Sequence, residues 1–267
     1  MRFLVVKVKR TNDGNVFGAT PIICAIKSGH SAIFHLIFES IVDKRHINNS
    51  DNNGMTPLHH AAINNLPSVC QKLMEIVDED NPAVVEDFDG VTPFHLAAKL
   101  GYLDICEIFI VGSNPIIATV IMDLDLLDFG ELTHPFYWAA AEGFFEVCNL
   151  FIEKLQEKNP ADYGGYSLLH WAASNGYLEI CQYIITSVSD KNPADQTFNT
   201  PLHLAAQNGH LKVCQLIVNN ITDKEPKNCN GKTPIQLASD SGHLYCIRNC
   251  SIVETIQAPL LKKIKLA

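Results

Sequence analysis

The chain has 267 residues, 47% of them apolar and 18% charged, with a formal net charge of −9. That balance can fill a continuous core but leaves no basic stripe to displace counterions, which argues against nucleic acid as the main ligand. No apolar run approaches the roughly 18 residues a membrane helix needs, and the start, Met1-Arg2-Phe3-Leu4-Val5-Val6-Lys7, is too short in apolar residues for a secretory signal.

A motif recurs in register along the chain. It reads Thr20-Pro21, Thr56-Pro57-Leu58-His59, Thr92-Pro93-Phe94-His95, His134-Pro135, Ser167-Leu168-Leu169-His170, Thr200-Pro201-Leu202-His203 and Thr233-Pro234. Taking the second residue of each copy as an origin, the spacings are 36, 36, 42, 33, 33 and 33. A period near 33 is the signature of stacked helix pairs, none of which buries its apolar face alone.

Residues 1–10 come first. Phe3 and Leu4 stand one period before core slots of the kind held by Leu216 and Ile217, so this stretch reads as the second helix of an incomplete preceding unit. Each later unit opens on a helix. Proline is tolerated in a first turn and the preceding Thr can cap it. Alanines four and five residues on, such as Ala61 and Ala62, favour helix and allow close approach. Eight residues on stand Gly29, Asn65, Gly101, Gly143, Gly176, Gly209 and Gly242. These residue types adopt the left-handed conformation that ends a helix.

A second helix is expected from about ten residues after each origin. Its buried stripe holds Ile33, Val69, Ile105, Val147, Ile180 and Val213, the residue after each of these, and Ile37, Leu73, Phe109, Phe151, Ile184 and Ile217 four residues later. It should end before Pro82, Pro160, Pro193, Pro226 and Pro259, several of them preceded by Asn. Cys70, Cys106, Cys148, Cys181 and Cys214 share one slot on it. Equivalent positions in stacked helices lie roughly 8–10 Å apart, beyond disulfide reach, so these read as buried thiols. Free buried thiols point to a cytoplasmic or nuclear compartment.

The third join is longer than the others. Residues 116–129 form an insertion with an apolar half, Ile116 to Met122, followed by Asp123, Asp125 and Asp128, with Glu131 just beyond. An EF-hand needs Gly at its sixth position and Glu at its twelfth, where Asp128 and His134 stand, so a solvated acidic turn is expected. The apolar half either packs over the third helix pair or protrudes as a contact. At the other end, the tail 260–267 is apolar and basic and too short to cross a membrane.

Nothing in the chain calls for chemistry. There is no Gly-rich phosphate loop, His-Glu-x-x-His pair, Cys-x-x-Cys or Gly-x-Ser-x-Gly elbow. His243, Cys246 and Cys250 resemble a metal string, but both cysteines sit on core slots. No catalytic residue, metal ligand or cofactor is assigned.

With seven copies holding register through several independent slots, the chain resembles ankyrin-repeat proteins. The resemblance implies an all-α solenoid of helix-turn-helix units with β-turn fingers. The repeats would span about 16–48, 52–84, 88–115, 130–162, 163–195, 196–228 and 229–259. It implies a structural role for His59, His95, His170 and His203, and less regular units where Ile23, Tyr137 and Gln236 replace them. Trp138 and Trp171, on a slot usually held by Leu, would be core.

It also implies that contacts with a partner come from the finger tips and the concave face. The residues at those offsets include Asn52, Asn53, Met55, Phe88, Val91, Lys99, Leu100, Tyr163, Tyr166, Gln196, Asn199, Gln207, Asn208 and Lys232. Phe88, Tyr163 and Tyr166 stand out, since exposed aromatics dominate binding energy. The expected function is a monomeric scaffold for an unidentified protein or peptide. An alternative is the cytoplasmic recognition segment of a larger channel, ubiquitin-ligase adaptor or kinase.

Overall fold

The computed structural model describes residues 14–41, 47–76, 83, 85–111, 134–154, 158–162 and 164–243. Residues 1–10, the insertion 116–129, Tyr163, Cys246, Cys250 and the tail 260–267 lie outside the described residues. The described helices are α1 Pro21–Lys27, α2 Ser31–Ser40, α3 Pro57–Ile63, α4 Pro67–Met74, α5 Pro93–Lys99 and α6 Leu103–Val111. They continue with α7 Pro135–Glu142, α8 Phe145–Lys154, α9 Leu168–Asn175, α10 Leu178–Ser187, α11 Pro201–Gln207, α12 Leu211–Val218 and α13 Pro234–Asp240. Among the described residues the sole β pairing is an isolated bridge between Ala161 and Ser167.

The boundaries follow from local chemistry. The first helices begin on their prolines, except α9, which begins on Leu168. Thr20, Thr56, Thr92 and Thr233 cap them by accepting the amide hydrogen three residues on at 3.3–3.4 Å. These helices stop one or two residues before the left-handed position. Asn65 holds φ 51° there, and Gly29, Gly101, Gly143, Gly176, Gly209 and Gly242 hold 69–86°. The second helices α2, α4, α6, α8, α10 and α12 then start on the expected tenth residue.

The chain parts into two compact units, Met1–Ala139 and Ala140–Ala267. In the first, α1 packs on α2 and α3, α3 on α4 and α5, and α4 and α5 on α6. In the second, α8 packs on α10, α9 on α10 and α11, α11 on α12 and α13, and α10 on α12. Burial follows the expected stripe, with Val69, Leu73, Ile105, Phe109, Ile184 and Ile217 fully enclosed. Phe94 and Phe109 meet edge to face at 5.8 Å, the arrangement ring quadrupoles favour.

Two expectations shift. In α2 the core is taken by Phe34 and Phe38, with ring centroids 5.4 Å apart, while Ile33 and Ile37 are half-buried. The slots of Phe34 and Phe38 are buried in later second helices too, as Cys106 and Ile110 or Cys181 and Ile185, so α2 differs only in that Ile33 and Ile37 are half-covered. The second helices also end well before the prolines, at Met74, Ser187 and Val218 for example. Proline therefore shapes the following loop and does not break the helix. The Asn before it braces the next unit, since Asn159 and Asn192 accept the amide hydrogens of Leu169 and Leu202 at 2.9 and 3.1 Å. Those are first-turn amides, which have no partner within the helix.

Candidate functional site

Among the described residues a finger precedes α1, α3, α5, α9, α11 and α13, at residues 15–19, 51–55, 87–91, 162–166, 195–199 and 228–232. Each is built by the Asp or Asn that opens it. Asp51 Oδ1 accepts the amide hydrogens of Asn53 and Met55 at 3.0 and 3.2 Å. Asp87, Asp162, Asp195, Asn228 and Asn15 repeat that geometry. A side chain accepting from amides two and four residues on closes the turn locally. This position lay outside the offsets chosen from sequence, although its recurrence is visible there.

Neighbouring fingers are laced through the backbone. In the first unit Asn52 N–H donates to Phe17 O at 3.1 Å and Phe88 N–H to Asn53 O at 3.2 Å. In the second unit Gln196 N–H donates to Gly164 O and Cys229 N–H to Thr197 O, both at 2.8 Å. Asn52 adds its side-chain amide to Val16 O at 3.2 Å.

The buried histidines tie helix to finger. His59 Nδ1 accepts the Thr56 amide hydrogen at 3.0 Å, completing a reciprocal cap. A backbone amide only donates, so the ring hydrogen is on Nε2, which donates to Val91 O at 2.9 Å in the next finger. His170 and His203 repeat this toward Asn199 O and Lys232 O at 3.2 and 3.1 Å. Burial lowers the pKa of all three below the ordinary imidazole value, outweighing the carbonyl acceptors. They are neutral struts. Both nitrogens of each are occupied by the protein's own groups, which leaves no lone pair to bind a metal.

One ionic cluster lies beneath the fingers. Asp51 Oδ2 is 3.1 Å from Lys27 Nζ and 3.0 Å from His60 Nε2. Burial alone would raise the Asp51 pKa, but the Asn53 amide, Lys27 and His60 together hold it at about 2. Among the described residues no group of three His, Cys, Asp or Glu side chains is placed to hold a metal ion.

The candidate contact residues divide accordingly. Phe88 is 78% exposed, while Tyr166 is half-buried, its ring 4.9 Å from His170 and 5.1 Å from Trp171. Burial raises the Tyr166 pKa, against a hydrogen bond from Ser174. Lys99 Nζ sits 4.7 Å from the Trp138 ring centroid, and Leu100 is 39% exposed at the helix end. Val91 and Asn199 serve their histidines, Asn208 reaches Ser174 O at 2.8 Å, and Lys232 pairs with Asp240 at 2.8 Å. Asn53, Gln196 and Gln207 are exposed, and Met55 is half-buried. Sequence reasoning passed over three exposed tip residues, Val16, Phe17 and Phe198. Val16 and Phe17 occupy the same offsets as Asn52 and Asn53, one unit earlier, so their signal was present.

A family model described as ankyrin repeats, three copies, matches residues 1–84, 35–119, 116–195 and 169–249. The chain belongs to the ankyrin-repeat family. Its fold class is the all-α ankyrin-repeat solenoid. Among solved structures, it is similar to the ankyrin repeat domain of Bcl-3, described as a unique member of the IkappaB protein family. That match has a TM-score of 0.68 at 25% identity, over 87% of this chain and 99% of that one. No curated protein matches the chain. Ankyrin repeats are protein-interaction modules. None of the described helices is long and apolar enough to cross a membrane.

Proposed function

We propose that the chain is a non-catalytic scaffold that holds a protein or peptide partner on its finger tips and the exposed ends of its first helices. The observation that supports this reading is Phe88. Its amide is already paired with Asn53 O, yet its ring stands 78% exposed. A large apolar ring held in water on a braced backbone is an unused anchor, the kind of residue that carries binding energy. The scaffold acts as a monomer in the cytosol or nucleus. The buried thiols of Cys70, Cys106, Cys148, Cys181 and Cys214 support a reducing compartment.

Crosslinking mass spectrometry in a native extract tests the reading, comparing the wild-type chain with a Phe88→Ala, Tyr163→Ala, Tyr166→Ala variant. The expected result is a stoichiometric partner crosslinked to the fingers and lost from the variant. Absence of any stoichiometric partner, or crosslinks confined to the second helices, overturns it.

A further inference from the structure

We infer that the tips of the first three fingers form a docking strip for an extended protein segment that combines positive charge with apolar side chains. This rests on the scaffold reading above and narrows it to one surface and one class of partner.

The strip begins with its apolar groups. Val16, Phe17 and Phe88 are 87%, 72% and 78% exposed, the highest values among the large apolar residues described. They stand on the first and third of three fingers laced together by backbone. Asn52 grips Val16 O with its side chain and Phe17 O with its amide, and Asn53 O receives the Phe88 amide. Phe88 Cδ1 lies 2.7 Å from where a Cβ would stand on Gly54, so the ring leans over the second finger while staying largely exposed. Large exposed apolar groups gathered on a braced support mark an interaction site.

Charge selects the occupant. The three fingers contain Asp51, Asp87 and Asp89 and no Lys or Arg, and Glu86 is exposed directly beside them. Asp51 is balanced by Lys27, but Asp89 and Glu86 are exposed within two residues of Phe88 in the chain. The chain as a whole carries −9, so a second copy, an anionic membrane or a nucleic acid meets like charge. A Lys or Arg side chain instead gains twice: its cation lies over the aromatic face and pairs with a flanking carboxylate. Stacked helix pairs are about 10 Å apart and an extended chain advances about 3.3 Å per residue, so a segment reaching from Phe88 to Phe17 spans about six residues.

The test is a selection of random 12-residue displayed peptides on the full chain, with and without depletion on a Phe17→Ala, Phe88→Ala variant. Best binders are then titrated by fluorescence anisotropy at about 50 and 300 mM salt. All substituted side chains are exposed, and circular dichroism checks that the variants keep the wild-type melt. The expected winners carry net positive charge and an apolar residue. Their affinity should drop at least about fivefold on Phe88→Ala, on a Glu86→Gln, Asp89→Asn variant, and at the higher salt. Neutral or acidic winners, or winners bound equally by the variants, overturn the inference. If such insensitive winners are lost from a Phe198→Ala variant, the scaffold reading survives and only the location is wrong. No winners, together with no crosslinked partner in extract, reject both.

Discussion

His59 and Val91 belong to different repeats, yet the imidazole Nε2 of one donates to the carbonyl of the other at 2.9 Å, while Nδ1 holds the Thr56 amide. One buried ring thus satisfies the Thr56 amide and adds a cross-repeat bond to a Val91 carbonyl that also accepts the Asp87 amide at 2.9 Å. His59→Ala orphans the buried Thr56 amide and removes the bond between repeats, and an unpaired buried group costs about 1–3 kcal/mol, so a loss of about 2–3 kcal/mol is expected. Glutamine offers a partial rescue, because Gln236 Oε1 already accepts the Thr233 amide at 2.9 Å in the last described unit. Urea denaturation should rank wild type above His59→Gln and His59→Ala lowest. Equal midpoints for the three would remove the strut role.

The same burial sets a pH dependence. His59, His60, His170 and His203 all have imidazole pKa values lowered by burial from an ordinary 6.5. Below that pH the unfolded chain binds more protons than the fold, so stability is full above it and declines as pH falls. Asp51, held at about 2, adds its own loss only below its ordinary 3.8, where its carboxylate is protonated in the unfolded chain first. Urea midpoints should therefore fall from about pH 7.5 to about pH 5, and a His203→Gln variant should show a shallower slope. A flat profile across that range contradicts the neutral-strut account.

Helix starts, and the stops of the first helices, were legible because proline, threonine and glycine act through backbone geometry within a few residues of themselves. The finger was harder to read. Asp51 and Asp87 resemble surface acids until their amide partners two and four residues on are in view. Asn159 and Asn192 likewise look like loop residues, although each reaches an amide ten residues away. Tyr166 shows the opposite limit. Its offset matches that of exposed contact residues, but exposure depends on neighbours, and His170 and Trp171 half-cover its ring.

Gly176 meets two constraints at once. Its φ is +80°, and a Cβ there would stand 2.5 Å from His210 Nδ1 in the next repeat. Gly29 has φ +69° with nothing within 4 Å of such an atom. Both alanine variants carry the left-handed penalty of roughly 1–2 kcal/mol, and only Gly176→Ala adds a steric cost of about 1–3 kcal/mol. Differential scanning calorimetry should place Gly176→Ala clearly below Gly29→Ala. The reverse order would mean that His210 swings aside freely.

Thiol reactivity should follow burial. Desolvation pushes the Cys70 and Cys181 thiols up to about 12, while Cys24 and Cys229 are exposed. The thiolate is the reactive form, so brief iodoacetamide treatment near pH 8 followed by peptide mapping should modify Cys24 and Cys229 and spare Cys70 and Cys181 until denaturant is added. Rapid native labelling of Cys181 would show that its helix pair opens far more readily than its packing implies.

Phe198 occupies the finger position held by Gly18, Gly54, Gly90, Gly165 and Gly231, all at φ 70–79°, and it adopts φ +59° itself. A bulky side chain in that region is strained by about 1–3 kcal/mol, and at 60% exposure the ring recovers little by burial. Phe198→Gly relieves the strain but loosens the unfolded chain, which costs about 0.5–1 kcal/mol. Asn avoids that cost and tolerates the conformation, as Asn65 does at φ +51°. Both variants should therefore be more stable than wild type by about 1 kcal/mol, with Phe198→Asn the higher, which is a melting-temperature rise of a few degrees. Partner affinity measured on the same variants separates two origins of the strain. A loss of binding together with the gain in stability means that the ring is retained for contact. Unchanged binding means that its conformation serves no docking role.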